Sequence, residues 1–514
     1  MTKPALSPDA FAARRLERRN AAERRFKLYG QIAIGIAVGF LALLLLSICG
    51  KAMSAFSRHT IVLTIDQPDL SERTAFAVSD VNLVVRDELL NLFPESASKR
   101  SARIELFRLS TRLAVLPLAE AATEDPEVFA APYQVRLPLS DDLDLYLKND
   151  IKQHQTEPVG RAGRFSETAS GTYRLTDADP DGFERFQNFL AALPAPRTDI
   201  LISLSGAWFD LQTVSGAALE LQHLAGPLPN LGEQNRAAIT ALILPSRSQN
   251  RQVSNHQIAY ALLLKERDMI DRRFNGSLFA SADSTYPELA GAAAALVGSM
   301  FTMLMTALFA IPVGIFAAVY LEEFAKKSLI TNIIEVNINN LAAVPSIIFG
   351  LLGAAVFLNT FGLPRSVPLV GGLVLGLLVL PTIIIASRAA LQSVPPSVRD
   401  AALGLGASHS QAVFHHVLPL ATPGILTGAI IAMARALGET APLLLIGMVA
   451  FISEVPQTPS DEATVLPVLI YKWFSGAERA WEPMTAAVIV ILLVILVAMN
   501  LIATLLRRRF ERRW

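Results

Sequence analysis

The sequence contains a single cysteine, Cys49, which excludes a disulfide within the chain and a zinc site built on cysteine pairs. The nucleotide-binding pattern GxxxxGK[ST] is absent, so the chain brings no P-loop of its own. Basic and acidic residues number 45 each, and this balance gives no reason to expect nucleic-acid binding. No pairing of a nucleophile with a base is recognisable. We therefore expect no catalytic residues, no resident metal or cofactor, and no enzymatic activity.

Apolar residues are abundant. Hydrophobic residues make up 52% of the 514-residue chain, and the mean hydropathy is +0.41. This value is too high for a soluble enzyme and too low for a bare bundle of membrane helices. A membrane domain joined to a sizeable soluble domain accounts for both facts.

Six apolar stretches are long enough to cross a bilayer, which requires about 20 residues in a helix. They cover 28–50, 289–320, 332–358, 367–387, 419–450 and 484–506. The first lies uncharged between Lys27 and Lys51 and exceeds the usual apolar core of a cleaved signal peptide. We therefore predict an uncleaved first transmembrane helix, 28–50.

Lysine and arginine placement predicts the orientation of the spans. Basic residues crowd the N-terminal tail 1–27 and the C-terminal tail 507–514, and others follow the second and fourth spans. With six spans all these sites fall on one side, which the positive-inside rule assigns to the cytoplasm. The prediction is a multi-pass protein of a bacterial inner membrane, in contact with lipid, with both termini cytoplasmic.

Residues 51–287 then face the periplasm as a domain large enough for its own core. Strand-like apolar runs cover Ile61–Ile65, Ile200–Leu204 and Ala238–Leu244, and helical patterns cover Val81–Leu92, 183–193 and 256–274. The alternation predicts an α/β or α+β fold. Its four histidines are far apart in sequence, so nothing indicates a ligand.

The loop 389–419 has a defined shape. Pro395 and Pro396 favour the start of a short helix, and Gly404 and Gly406 allow the chain to reverse. Its pattern resembles the coupling loop of permease subunits of bacterial ABC importers, with Asp in place of the usual Glu. The resemblance implies that a separate ATPase grips residues of this loop. They are Arg399, Asp400, Ala401, Ala402, Gly406, Leu418 and Pro419.

A narrower resemblance lies in three further segments. Residues 339–351 resemble a signature of phosphate importer permeases in general. Residues Arg435 to Leu444, containing Gly-Glu-Thr-Ala-Pro-Leu, and residues 466–473 are similar to the PstA type of these permeases. The resemblance covers 288–514. It implies an all-α transmembrane domain over 288–506 that forms half of a phosphate pathway. The implied partners are a second permease of PstC type, an ATP-binding subunit dimer and a periplasmic phosphate-binding protein.

Charged residues inside the apolar segments are the candidate pathway residues. Arg435 and Glu439 are predicted near the middle of the span 419–450, where a charge costs at least about 2.5–3.5 kcal/mol. They are four residues apart, so they either neutralise each other or leave Arg435 to contact phosphate with its guanidinium fork. Thr440 adds a hydroxyl, and Arg388 ends the fourth span. Pro442 is expected to loosen the helix.

Two alternatives remain. Coupling loops are shared by importers of other oxyanions, such as molybdate or sulfate, although the segment 435–444 favours phosphate. A membrane-anchored periplasmic sensor would use 51–287 to bind a ligand, but it needs a cytoplasmic effector domain, and none follows the last span.

Overall fold

A computed structural model describes residues 8–66, 78–124, 132–148, 156–169, 171–177, 181–192, 199–215, 218–230, 237–244 and 252–510. The first helix, α1 (Pro8–Ala55), contains an uninterrupted apolar run and leads directly into a strand. The part between α1 and the next membrane helix is called the inserted domain below.

The inserted domain contains antiparallel strands and short helices. Its elements in chain order are β1 (Ser57–Ile65), α2 (Val78–Leu92), α3 (Arg100–Phe107), α4 (Leu116–Glu124), β2 (Tyr133–Pro138), α5 (Asp141–Leu147), β3 (Thr156–Ala169), β4 (Thr172–Asp177), α6 (Gly182–Ala192), β5 (Asp199–Leu204), β6 (Ala207–Ser215), β7 (Ala218–Ala225), β8 (Ala238–Leu244), α7 (Asn255–Glu266), β9 (Ile270–Phe274) and α8 (Ser277–Ala280). The predicted α+β class is confirmed.

The strands of this domain form two separate sheets. A three-stranded sheet has the order β2-β1-β9, and a closed barrel has the order β3-β4-β7-β6-β5-β8. Because strand side chains alternate between faces, the barrel strands supply two cores. Phe165 and Phe209 fill the interior beneath Phe183 of α6, whereas Trp208 and Leu224 face outward and pack on the helices around the small sheet.

The membrane part contains helices joined by loops, and no strand, in the residues described. Its helices are α9 (Ala293–Val319), α10 (Leu329–Ala342), α11 (Ser346–Gly353), α12 (Pro368–Gln392), α13 (Pro396–Gly404), α14 (His409–Ala412), α15 (Leu418–Leu437), α16 (Ala441–Leu445), α17 (Leu466–Phe474) and α18 (Trp481–Phe510). Wider π-helical turns follow three of them, at Tyr320–Phe324, Ala354–Thr360 and Val413–Val417.

Five helices in the described residues are long and apolar enough to cross a membrane, and a bent pair brings the total to six. The five are Ala22–Ala55, Ala293–Phe324, Pro368–Gln392, His409–Leu437 and Trp481–Arg509. The pair joins Leu329–Ala342 to Ser346–Thr360 at 104°. Pro345 lies at the bend with an extended backbone, since proline has no amide hydrogen to continue the helix.

Close backbone approach holds α9 against α12. A Cβ atom on Gly372 would lie 2.3 Å from the Cβ of Met305, and one on Gly376 would lie 2.5 Å from the ring of Phe309. The Thr306 hydroxyl donates across this contact to the carbonyl of Gly372 at 3.2 Å. Small residues and interhelical hydrogen bonds are the usual means of association between membrane helices.

Two sequence-based boundaries were wrong. The pattern over 256–274 is not one helix, because α7 ends at Glu266 and the chain turns at Asp268, which has φ 55°, before entering β9. β9 pairs with β1 and completes the small sheet, so tertiary pairing overrides the local pattern. The predicted span 419–450 is also not continuous, because α15 ends at Leu437 and only short α16 follows.

Acidic side chains meet where the inserted domain adjoins the segment preceding α9. Both carboxylate oxygens of Glu288 are buried and accept no well-aligned hydrogen bond. Burial raises the pKa of Glu288 to about 7, and the nearby charges of Asp141 and Glu478 add to the effect, while the Thr111 hydroxyl opposes it. Burial likewise raises the pKa of Asp142 to about 6.

Replacing Gly372 with valine should weaken the α9–α12 contact, because the new side chain has no space. Overpacking typically costs about 1–3 kcal/mol, so we expect the melting temperature in detergent to fall by roughly 5 °C. Gly39→Val is the matched control, since a Cβ there meets nothing within 4 Å. Equal melting temperatures for the two variants would contradict the packing described.

Ionisation of Glu288 should make the fold less stable as pH rises. Its folded pKa of about 7 exceeds the ordinary value of 4.5, so the folded chain holds the proton more tightly than the unfolded chain. Protonated Glu288 therefore contributes at most about 3 kcal/mol to the free energy of unfolding. This contribution is fully present below pH 4.5 and is lost as the pH rises past 7. Glu288→Gln should raise the melting temperature at pH 8 and leave it nearly unchanged at pH 5. A gain of the same size at both values, or one also given by exposed Glu462→Gln, would refute the assignment.

Candidate functional site

The loop between α12 and α15 folds as two short helices. Pro395 precedes α13 with an extended backbone and Pro396 is its first residue, where no amide hydrogen is required. The helix ends at Gly404, and Gly406 has φ +89°, a conformation that glycine adopts without strain. Ser408 then caps α14 with reciprocal hydrogen bonds to Gln411. The chain passes through the π-helical turn into α15, which begins at Leu418 and Pro419.

The two faces of α13 differ. Asp400 and Ala401 are exposed, and the adjacent Leu405 is 91% exposed, which is unusual for a leucine. Ala402 is buried at 6% on the opposite face. The exposed apolar and acidic side chains therefore form one surface that faces away from the rest of the chain.

Arg399 faces inward instead. Its Nε donates to both carboxylate oxygens of Glu323 at 3.1 and 3.2 Å, and its Nη2 lies 2.5 Å from Oε1. Its remaining donors reach the carbonyls of Leu391 and Val394 at the end of α12. The Glu323 side chain is only 4% exposed, and its hydrogen bonds raise the pKa of Arg399. Paired, desolvated contacts of this kind are directional.

Arg388 is held near the end of α12 by two glutamates. Its guanidinium donates to Glu322 at 3.3 Å through two nitrogens and to Glu335 of α10 at 2.9 Å. Gln392 also donates to Glu322, at 2.9 Å. Arg388 thus joins α12 to the turn after α9 and to α10.

Arg435 lies in the last turn of α15. Its Nε is 3.5 Å from Oε1 of Glu439, and its side chain is 49% exposed against 19% for Glu439. Gly438 ends the helix and Thr440 precedes α16. Arg435 is therefore at a helix end rather than near the middle of a span. The expectation that Pro442 loosens a continuous helix was wrong, since Pro442 lies in the first turn of a new helix, α16.

Two of the sequence motifs meet in space. Gly350 of α11 lies against Pro442, and a Cβ on Gly350 would be 2.8 Å from the Cα of Pro442. The bend at Pro345 and the break after Leu437 thus place two short helices in contact. Irregular backbone at membrane depth is tolerated where protein covers it or where it lines a cavity.

The predicted pathway residues do not form one cluster. Gly424 of α15 packs against Ala390 of α12, and Gly428 packs against Ala386. Arg388, midway between these two alanines, is therefore level with about residue 426 of α15. Arg435 is about nine residues further along α15, or about 14 Å at the helical rise. Arg435, Glu439 and Thr440 are together, whereas Arg388 belongs to the charge network near α13.

Sequence reasoning missed the glutamates that hold the two arginines: Glu322, Glu323 and Glu335. Each lies in or beside an apolar segment. The criterion that selected Arg435 and Glu439, a charge next to apolar sequence, would have found them. Their partners are distant in sequence and could not have been assigned.

Comparison with known proteins identifies the family. A model described as binding-protein-dependent transport system inner membrane component matches residues 310–513. The phosphate transport system permease protein PstA 1 of Mycobacterium tuberculosis is 31% identical over 219 residues, which are 43% of this chain and 71% of that protein. This chain belongs to the binding-protein-dependent transport family. It is a multi-pass permease subunit of an ABC importer, and members of this class work with an ATPase and a substrate-binding protein.

A second curated phosphate permease agrees with this assignment. PstA of Haemophilus influenzae is 30% identical over 229 residues, covering 44% of the permease chain and 79% of that protein. Among solved structures, the inward-facing MetNI methionine ABC transporter is 20% identical, covering 42% of this chain and 95% of that chain with a TM-score of 0.35. A domain of unknown function, DUF3333, matches residues 13–157. The barrel begins at Thr156, so nearly all of it lies beyond that match.

Proposed function

We propose that this permease forms half of the translocation pathway of an ATP-driven phosphate importer. Support comes from the named PstA relatives and from the loosely paired guanidinium of Arg435, which is the observation that carries the proposal. A positive charge at the end of an apolar helix is costly unless it is paired or solvated. Arg435 is half exposed, so its donors remain available to an incoming oxyanion.

Glu439 has two effects on such a site. At 3.5 Å it is close enough to orient the guanidinium and too far for a strong hydrogen bond. Phosphate oxygens would compete with this carboxylate for the same donors, and the repulsion between two anions would favour release. A transporter needs binding weak enough for the substrate to leave. Thr440 adds a hydroxyl beside the pair.

Coupling uses the exposed face of α13. Asp400, Ala401 and Leu405 present a small, partly apolar surface of the kind that enters a groove on a partner, and Gly406, Leu418 and Pro419 shape the loop around it. In this proposal the partner ATPase dimer, and not this chain, binds the ATP. A second permease of PstC type completes the pathway, and a periplasmic phosphate-binding protein delivers the substrate.

Orientation follows from the basic residues. The N-terminal and C-terminal segments and α13 lie in the cytoplasm, and the inserted domain lies in the periplasm. In alternating access, ATP-driven closure of the ATPase dimer moves α13, and the helices switch the side from which Arg435 is reached.

Removing the guanidinium of Arg435 should impair phosphate uptake. Charge-assisted hydrogen bonds contribute about 1.5–3 kcal/mol each, so Arg435→Ala should lower uptake about 10-fold to 100-fold in cells that depend on this importer. Arg435→Lys keeps the charge but loses the forked guanidinium, so its uptake should lie between that of the native importer and that of Arg435→Ala. Exposed Arg365→Ala is the control. Normal uptake by an assembled Arg435→Ala complex would rule out the contact with phosphate.

Reversing the charge of Asp400 should weaken attachment of the ATPase. Repulsion at a protein interface costs several kcal/mol, so Asp400→Lys should lose most of the ATPase during affinity purification of the complex. Glu454→Lys, an exposed reversal in the loop before α17, should retain it. The docking surface has been misassigned if the Asp400→Lys complex keeps its ATPase and its transport rate.

A further inference from the structure

The π-helical turn Tyr320–Phe324, at the end of α9, contacts three other helices directly, α12, α13 and α14, and is linked to α10 through Arg388. Glu322 bonds to Arg388 of α12, which also binds Glu335 of α10. Glu323 bonds to Arg399 of α13. In addition, the Nε2 of His409, at the start of α14, lies 2.8 Å from the backbone oxygen of Glu323. One turn of five residues therefore binds both the coupling loop and α12, and Arg388 extends this contact to α10.

Glu322 and Glu323 are neighbours in this turn but bind different helices. Adjacent residues on any helix point in different directions, so Glu322 and Glu323 reach different neighbours. Ala325 closes the turn by donating its backbone N–H to the carbonyl of Tyr320 at 2.8 Å. Such turns occur frequently at functional sites.

The contact between Glu323 and Arg399 is suited to transmitting movement. Three hydrogen bonds join the two groups, and the carboxylate is 4% exposed, so water does not compete for it. Arg399 also holds the end of α12 through the carbonyls of Leu391 and Val394. A displacement of α13 must therefore move α9 and α12 together or break the pair. Breaking a buried pair is strongly unfavourable.

We propose that Glu323 is the positioning residue that transmits movement of α13 to the pathway helices, with the turn Tyr320–Phe324 as the mechanical joint. This inference rests on the proposed function of the loop 389–419 as the site of ATPase attachment. It differs from docking, because Arg399 faces the permease itself and Asp400 faces outward. Glu322 extends the joint to Arg388.

The test uses the complete importer in proteoliposomes, with uptake of inorganic phosphate and ATP hydrolysis measured together. Glu323→Gln removes the charge while keeping the shape. It should retain the ATPase and hydrolyse ATP, but transport at least fivefold less phosphate per ATP. Arg399→Lys, which keeps the charge without the fork, should give a smaller loss, and covers the case in which Glu323→Gln fails to fold. Exposed Glu462→Gln is the matched control.

The charge swap Glu323→Arg with Arg399→Glu restores the ion pair but not the hydrogen bonds to the carbonyls of Leu391 and Val394, so it should recover part of the lost phosphate per ATP. A merely stabilising pair would also be restored by the swap, so the result that separates the two roles is a low phosphate per ATP in a Glu323→Gln complex that is assembled and hydrolyses ATP. Three results would overturn the proposal: native phosphate per ATP in Glu323→Gln, loss of the ATPase from that complex, or no recovery in the swap. If the native chain itself fails to hold the ATPase, the proposed function fails instead.

Discussion

A charge removed from water needs a partner, and this constraint organises the permease. Lys472 pairs with Asp283, which is 1% exposed and also accepts from the indole of Trp473 at 3.1 Å. Arg399 is held by Glu323 in the same way. Arg435 differs, since it is half exposed and its carboxylate is 3.5 Å away. The contrast separates charges held by close, buried partners from one whose guanidinium is half exposed.

Helix α9 connects the two ends of the membrane domain. Close contact with α12 through Gly372 and Gly376 leaves little room for sliding between them. The acidic junction around Glu288 precedes α9, and the glutamates of the π-helical turn follow it. α9 therefore runs from the junction with the inserted domain to the turn that binds the coupling loop. The structure thus gives the inserted domain a physical connection to the transport machinery.

Sequence reasoning predicted what depends on local composition. Apolar length gave the spans, and proline and glycine gave α13 and the reversal after it. Strands such as Ala238–Leu244 followed from residue type. The errors occurred where distant contacts decide the outcome. Residues 270–274 form a strand because β1 offers a pairing partner, and the helix over Arg435 stops because a short helix packs on α11 instead.

The sequence by itself determined that this is a membrane permease with an inserted domain. The length of its apolar segments matches the thickness of a bilayer, and the residue spacing of the coupling loop is a local feature of the sequence. Only the tertiary structure decided that Arg399 and Asp400, neighbours in sequence, face opposite ways. It also decided that Arg388 lies with Glu322 and Glu335 rather than with Arg435. The pairing of charges depends on which helices become neighbours. Local sequence does not specify which residue of the neighbouring helix will be the partner.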